Sequence, residues 1–167
     1  MNIDELKLRL MEINPGVYFH SMSTMEEAEK LAFHYGVDVN KAKIAGLLHD
    51  CGKKMTKGMD NLTHSKLSAE LAEEIFNVQD IEVLNAIMYH TTGRENMTML
   101  DKIVFIADKI EHRRNYDHVD ELRRIAYENI DEAIVKSLES TIEYVKMRRL
   151  DLDSESLKTL NFLKEKR

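Results

Sequence analysis

Six polar side chains interrupt apolar, helix-like stretches of this 167-residue chain, and all six are of types that bind metals or move protons. His49 and Asp50 close the segment Lys41-Ala-Lys-Ile-Ala-Gly-Leu-Leu-His-Asp, whose run Ile44, Ala45, Leu47, Leu48 is apolar nearly all round and so marks a central helix. An imidazole and a carboxylate are thereby carried side by side toward the interior, where an unpaired carboxylate would cost several kcal/mol. Asp108 repeats the pattern in Leu100-Asp-Lys-Ile-Val-Phe-Ile-Ala-Asp. It lies on the stripe of Leu100 and Val104, and it too requires a cation. His20 falls beside the stripe of Tyr18 and Met22, His64 opens another helical segment, and His90 closes Ile81-Glu-Val-Leu-Asn-Ala-Ile-Met-Tyr-His.

The ordered set His20, His49-Asp50, His64, His90 and Asp108 offers nitrogen and oxygen ligands from different helices, which is how metal sites between packed helices are built. Singly, each has an ordinary explanation: a helix-end histidine is usually a surface residue, and Asp108 could pair with Lys or Arg. That ordinary explanation serves for His34, His112 and His118, which are expected at the surface. The six together form a metal-site pattern without cysteine, because burial demands a partner for both carboxylates. The one cysteine, Cys51, permits neither an internal disulfide nor a Cys-based zinc cluster. Such ligands suit iron, manganese, zinc or magnesium, and several imidazoles argue against magnesium, which prefers oxygen.

The elements that must position these groups read as helices throughout. Asn14-Pro15 offers an N-cap and a first-turn proline for one long amphipathic helix running to Gly36. Asp38 caps the central helix, which Gly52 stops. Further helices are expected over 63–76, 80–90, 98–113, 119–129 and 131–149. Asn2 with Glu5 resembles a capping box for an opening helix over 2–13, and Ser154 starts a closing one. No segment alternates with period two, and no glycine-rich phosphate loop appears, so P-loop and Rossmann readings fall away.

Composition bounds the rest. The length suits one all-α domain over 1–167. Hydrophobic residues at 43% and charged residues at 32% can fill a core and solvate a surface, which excludes disorder as the main state. The net charge of −6 without a dense basic run is poorly suited to tracking a nucleic-acid backbone. The charged start MNIDELKLRLMEI lacks the apolar centre of a signal peptide and no run suits a membrane span, so the expectation is a cytoplasmic protein without membrane partners. The ten methionines read as fillers of irregular gaps between helices.

The order His20, His49-Asp50, Asp108 resembles the HD-domain metal-dependent phosphohydrolases, and that likeness implies a single-domain helical bundle of the HD-domain type. The segments Ala45-Gly-Leu-Leu-His-Asp-Cys-Gly-Lys53, Ala86-Ile-Met-Tyr-His-Thr-Thr-Gly-Arg94, Lys102-Ile-Val-Phe-Ile-Ala-Asp-Lys-Ile-Glu111 and Val119-Asp-Glu-Leu-Arg123 resemble the bacterial YqeK family. Members of that family are symmetrical bis(5′-nucleosyl)-tetraphosphatases, which cleave diadenosine tetraphosphate to two ADP. The likeness covers about residues 16–131, with terminal helices 2–13 and 131–166 packed on that region. Two positions depart from the family pattern: Val17-Tyr18-Phe19 replaces a basic residue before the first metal histidine, and His112 replaces a proline after Glu111.

By this resemblance His20, His49, Asp50 and Asp108 hold a first metal, ferrous iron by preference, with manganese or another transition metal as the alternative. The site holds one or two ions, and if a second is present His64 and His90 hold it, bridged by Asp50. Asp50 and Lys53 are the catalytic pair, and a metal-activated water attacks the phosphate with no protein nucleophile. Lys53, His64, His90, Thr91, Thr92, Arg94 and Arg114 are the expected substrate contacts, with Arg94 suited to bidentate phosphate binding. The competing readings are an HD phosphohydrolase acting on a nucleoside monophosphate, a deoxynucleoside triphosphate or a cyclic dinucleotide, and a non-catalytic nucleotide-binding module. A homodimer is an open possibility, through Met and Leu on the last two helices.

Overall fold

The computed structural model describes residues 1–55, 58 and 63–166, and every regular element among them is helical. In chain order these are α1 (Ile3–Ile13), a single 3-10 turn (Pro15–Val17), α2 (Tyr18–Tyr35), α3 (Val39–Leu48), α4 (Thr63–Glu74), α5 (Ile81–Met88), α6 (Met99–Ile110), α7 (Val119–Glu128), α8 (Ile130–Met147) and α9 (Ser154–Glu165). None of the described helices is long and apolar enough to cross a membrane.

The segment that is apolar all round becomes the middle of the molecule. Helix α3 packs against α2, α5 and α6, and its Ala45, Leu47 and Leu48 are fully buried. Helix α6 supplies Ile103, Val104, Phe105 and Ile106 to the same core, and α8 supplies Ile134 and Leu138. Close approach of α2 and α3 rests on Gly46, where an added Cβ would lie 3.0 Å from the Met25 Cα and 3.1 Å from the Ala28 Cβ. Because α2 carries His20 and α3 carries His49, this contact sets the separation of two site residues.

The helix boundaries differ from the sequence reading mainly at the ends. Proline begins a 3-10 turn rather than α2 itself, since Tyr18 bonds back to the Pro15 carbonyl before the α pattern starts. Asn2 caps α1 through the Asp4 N–H, 3.0 Å, so Glu5 completes no capping box. At α9 the cap is Asp153, not Ser154, because its carboxylate accepts from both Glu155 and Ser156 N–H groups. The full capping box occurs on α6, where Thr98 and Asp101 satisfy each other's backbone. Helices α3, α5 and α6 each stop two or three residues earlier than the pattern suggests, which releases His49, Asp50, His90 and Glu111 into turns.

Gly46→Val should separate α2 from α3, destabilising the protein by about 1–3 kcal/mol. The check is a urea midpoint that falls while the slope of the transition is unchanged.

Candidate metal centre

The ends of α3 and α5 use one device. The last carbonyls of a helix have no intrahelical donor, and here an imidazole supplies one: His49 Nδ1 donates to the Gly46 carbonyl and His90 Nδ1 to the Ile87 carbonyl, both at 2.7 Å. Each ring is thereby fixed with Nε2 facing the interior. His20, in the first turn of α2, achieves the same with a carboxylate, its Nδ1 lying 3.1 Å from Glu111 Oε1. A histidine whose far nitrogen is held by a carbonyl or carboxylate is the usual arrangement of a metal ligand.

Two groups of ligand atoms result, His20, His49, Asp50 and Asp108 in one and Asp50, His64 and His90 in the other, with the atoms of each group within 4.8 Å of one another. His20 and His49 bring their Nε2 atoms to 3.1 Å, and so do His64 and His90. Two imidazole nitrogens cannot share that space comfortably without a proton or another cation between them. Asp50 joins the groups: Oδ2 lies 3.5 Å from His49 Nε2 and 3.7 Å from His20 Nε2, while Oδ1 lies 3.1 Å from His64 Nε2 and 3.3 Å from His90 Nε2. Oδ1 is nevertheless a buried oxygen with no hydrogen bond of acceptable geometry. A buried, unpaired carboxylate oxygen facing two imidazole nitrogens fits a divalent cation, and so does a donor set of nitrogen and oxygen.

The electrostatics agree. Burial works to raise the pKa of Asp50, but His49, His64 and His90 outweigh it and hold the group well below the usual carboxylate range. Burial likewise opposes ionisation of Asp108, and the Lys109 ammonium with the His20 and His49 rings holds its carboxyl well down. Burial disfavours charge on His49, yet Asp50 and Asp108 raise its pKa. For His90 burial prevails and the pKa falls. The centre thus keeps its carboxylates charged and draws positive charge toward the His49 side. Cys51, next in sequence, is buried, donates to the Ser68 carbonyl and has its thiol pushed up to about 12, which leaves it inert.

The remaining sequence-predicted residues divide. Lys53 Nζ reaches Asp50 Oδ2 at 2.8 Å, and Arg114 Nη2 reaches Asp108 Oδ1 at 2.9 Å, so both cations lie against the ligands. Arg94 is bound elsewhere: its Nε and Nη2 donate to Asp101 Oδ2 at 2.9 and 2.7 Å, with its guanidinium over the Tyr89 ring. Thr92 donates to the Gly93 carbonyl at 2.9 Å, and Thr91 is half-buried beside it. Gly93 takes φ +67° with Thr159 of α9 against it, so this turn is packed by the closing helix. His34, His112 and His118 are exposed, as the sequence suggests.

Three residues that composition and spacing did not single out support the centre. Glu111, only 2% exposed, holds His20 and accepts from the Arg113 N–H at 2.6 Å. Lys109 extends over the Phe105 ring and contacts the His90 carbonyl and Asp108 Oδ2, both at 3.4 Å. Arg123 donates to the carbonyls of Ile110, Glu111 and Arg114, fixing the turn that carries Glu111 and Arg114. Their positions in the quoted segments were visible, but the partners that tie them to the centre, His20 for Glu111 and the His90 carbonyl for Lys109, are distant in sequence and leave no local signal.

Comparison with known proteins agrees with this geometry. Residues 17–113 match the family described as HD domain. The symmetrical bis(5′-nucleosyl)-tetraphosphatase of Bacillus subtilis (strain 168) is 32% identical, with 87% of this chain and 88% of the relative covered. The protein of the same name from Halalkalibacterium halodurans is 34% identical with the same coverage. A crystal structure from Clostridium acetobutylicum, described as a predicted HD superfamily hydrolase involved in NAD metabolism, is 34% identical. It has a TM-score of 0.93 over 100% of this chain and 99% of its own.

Asp108→Ala should abolish metal retention while the helical circular dichroism near neutral pH is kept, and Glu111→Ala should weaken metal affinity about 10–100-fold. Metal titration of the two purified variants checks both; full retention by Asp108→Ala would remove it from the ligand set.

Proposed function

The chain belongs to the HD domain family, and we propose that within it the protein is a symmetrical dinucleoside tetraphosphatase that converts diadenosine tetraphosphate to two ADP. The observation that supports this reading is the meeting of two ligand groups at Asp50, in a chain whose relatives carry that activity in their names. Water adds to one inner phosphorus atom, the oxygen bridging the two inner phosphorus atoms leaves with the other half, and two identical products result.

In this reading His20, His49, Asp50 and Asp108 would hold one divalent ion, and Asp50, His64 and His90 would hold a second. Ferrous iron is the ion we assign, with manganese as a substitute. A divalent ion bound there lowers the pKa of a water molecule and withdraws charge from the attacked phosphoryl group. The chain supplies the rest. Asp50 sets the spacing between the two ligand groups, and Lys53, with its ammonium against Asp50 and a third of its side chain exposed, presents donors to the phosphoryl oxygens. Arg114, 38% exposed beside Asp108, presents a planar guanidinium to a second phosphate. No side chain acts as a nucleophile.

The same reading takes the chain as one domain, since Leu10 of α1, Leu138 of α8 and Leu163 of α9 share one hydrophobic cluster. It also includes a cytoplasmic homodimer, for which the exposed Tyr144, Met147 and Leu150 offer apolar surface; native mass reads that state.

Anaerobic incubation of ferrous-loaded protein with diadenosine tetraphosphate should yield two ADP per substrate by chromatography. His49→Ala should abolish the reaction, and Lys53→Ala should lower kcat by about 100-fold. ATP plus AMP as products, or no cleavage, would overturn the reading.

A further inference from the structure

The turn that follows α3 carries both Asp50 and Lys53, and its carbonyls are satisfied in alternation. Those of Asp50 and Gly52 accept from the Lys53 and Met55 backbone N–H groups at 2.9 and 3.4 Å. Those of Cys51 and Lys53 both accept from one side chain, the Asn14 amide, whose Nδ2 lies 3.1 Å from the first and 2.9 Å from the second. Two carbonyl acceptors fix which way the amide faces, because only its NH2 end can donate to them.

Asn14 reaches this turn from the junction between α1 and the 3-10 turn, where its own backbone is already committed. Its N–H closes α1 on the Leu10 carbonyl at 2.8 Å, and its carbonyl accepts from the Val17 N–H at 3.3 Å. An asparagine before proline reads in the sequence as an N-cap, yet the Asn14 side chain makes no cap bond to the turn that follows it. A second clamp on the Asp50–Lys53 turn comes from α4. There Ser68 Oγ accepts from the Gly52 N–H at 3.0 Å, and the Ser68 carbonyl accepts from the Cys51 thiol at 3.3 Å. Helix α4 comes so close that a Cβ on Gly52 would stand 2.9 Å from the Ser68 nitrogen. That clamp holds Cys51 and Gly52, whereas the peptide linking Lys53 to Lys54 is held by Asn14. Lys54 takes φ +60°, a left-handed conformation that a non-glycine residue keeps only where the surrounding structure imposes it.

Lysine carries a compact charge at the end of a flexible four-carbon stem, so its ammonium is only as well placed as the backbone beneath it. Lys53 Nζ meets Asp50 Oδ2 at 2.8 Å with a third of the side chain exposed, at the boundary between the ligand cluster and solvent. Resting on the phosphate-donor role of Lys53 proposed above, we infer that Asn14 is a positioning residue for Lys53, its amide fixing the peptide of that lysine and so aiming the ammonium at a phosphate. A donor held in advance loses less freedom when the phosphate binds. Both Asn14 bonds go to main-chain carbonyls and not to a ligand side chain, so the effect falls on phosphate and not on metal.

A double-mutant cycle between Asn14→Ala and Lys53→Ala tests the assignment, read by calorimetric titration of manganese-loaded, full-length protein with inorganic pyrophosphate. Asn14→Ala should weaken pyrophosphate binding about tenfold. Manganese affinity should stay within about twofold of the wild type, and in the Lys53→Ala background the same substitution should weaken pyrophosphate by less than about twofold. A merely structural role lowers the urea midpoint in both backgrounds alike and produces no such coupling. Asn14→Leu, close in size and without donors, is the second variant should the alanine form not fold. A wild type that binds no pyrophosphate, unchanged binding in Asn14→Ala, a loss that persists in the Lys53→Ala background, or a matching loss of manganese overturns the assignment. A coupled loss in protein that leaves diadenosine tetraphosphate intact upholds the role of Asn14 and rejects the hydrolase reading.

Discussion

A carboxylate that is 1% exposed and still ionised governs this molecule. Asp50 sits just past the end of the most buried helix, where burial alone would neutralise it, and it stays charged because imidazoles from α4 and from the turns after α3 and α5 converge on its two oxygens. Removing one member of a buried charge pair costs about 3–5 kcal/mol, so the arrangement of these elements around Asp50 is a condition of stability as well as of chemistry. The second half of α3, residues 44–48, is apolar on every side because it is surrounded. Gly46 must be small because α2 has to come close enough to bring His20 to the cluster.

The way the histidines are aimed follows from a general property of helices. Terminal carbonyls need donors, and at His49 and His90 a ring nitrogen meets that need three residues back, so the cap that finishes the helix also orients the ligand. His20 has no helix end available, being in the first turn of α2, and its ring is oriented by Glu111 from across the fold. Glu111 in turn lies just past α6, in a turn whose carbonyls are gathered by Arg123 of α7. Two candidate ligands are therefore aimed by their own helices, and a third by a chain of contacts that passes through α6 and α7.

This difference explains what could be read from the sequence. The helical class, the central position of the Lys41–Leu48 stretch and the caps Asp38 and Asp80 follow from periodicity and local propensity, and the structure has them. The six candidate ligands were legible because each is a polar group on an apolar stripe, and the fold brings them into two clusters. The supporting residues were not, because Glu111, Lys109 and Arg123 look like ordinary charged residues at helix ends until partners such as the Glu111 carbonyl for Arg123, 12 positions away, and His20 for Glu111, 91 positions away, are known. Arg94 carries a partner that the sequence reading did not name: Asp101 seven residues on binds two of its nitrogens. Helix ends were displaced for the same reason, since side-chain caps such as the His90 ring stop a helix that backbone propensity would continue.

Charge segregation reconciles an acidic protein with an anionic substrate. Away from the centre, cations are matched locally, as Lys41 is by Asp80 and Lys102 by Asp131. At the centre, Asp50, Asp108 and Glu111 face Lys53, Lys109 and Arg114, so three carboxylates meet three cations and the cluster begins near neutrality. Each divalent ion added to that cluster makes it positive by two charges in a low-dielectric setting, where the field acts over the full width of the pocket. With a divalent ion held by the aspartates, Lys53 and Arg114, which now contact Asp50 and Asp108, would be free to donate to a phosphate chain. The overall charge of −6 opposes polyanions, and a divalent ion held by these residues would reverse that at the candidate centre.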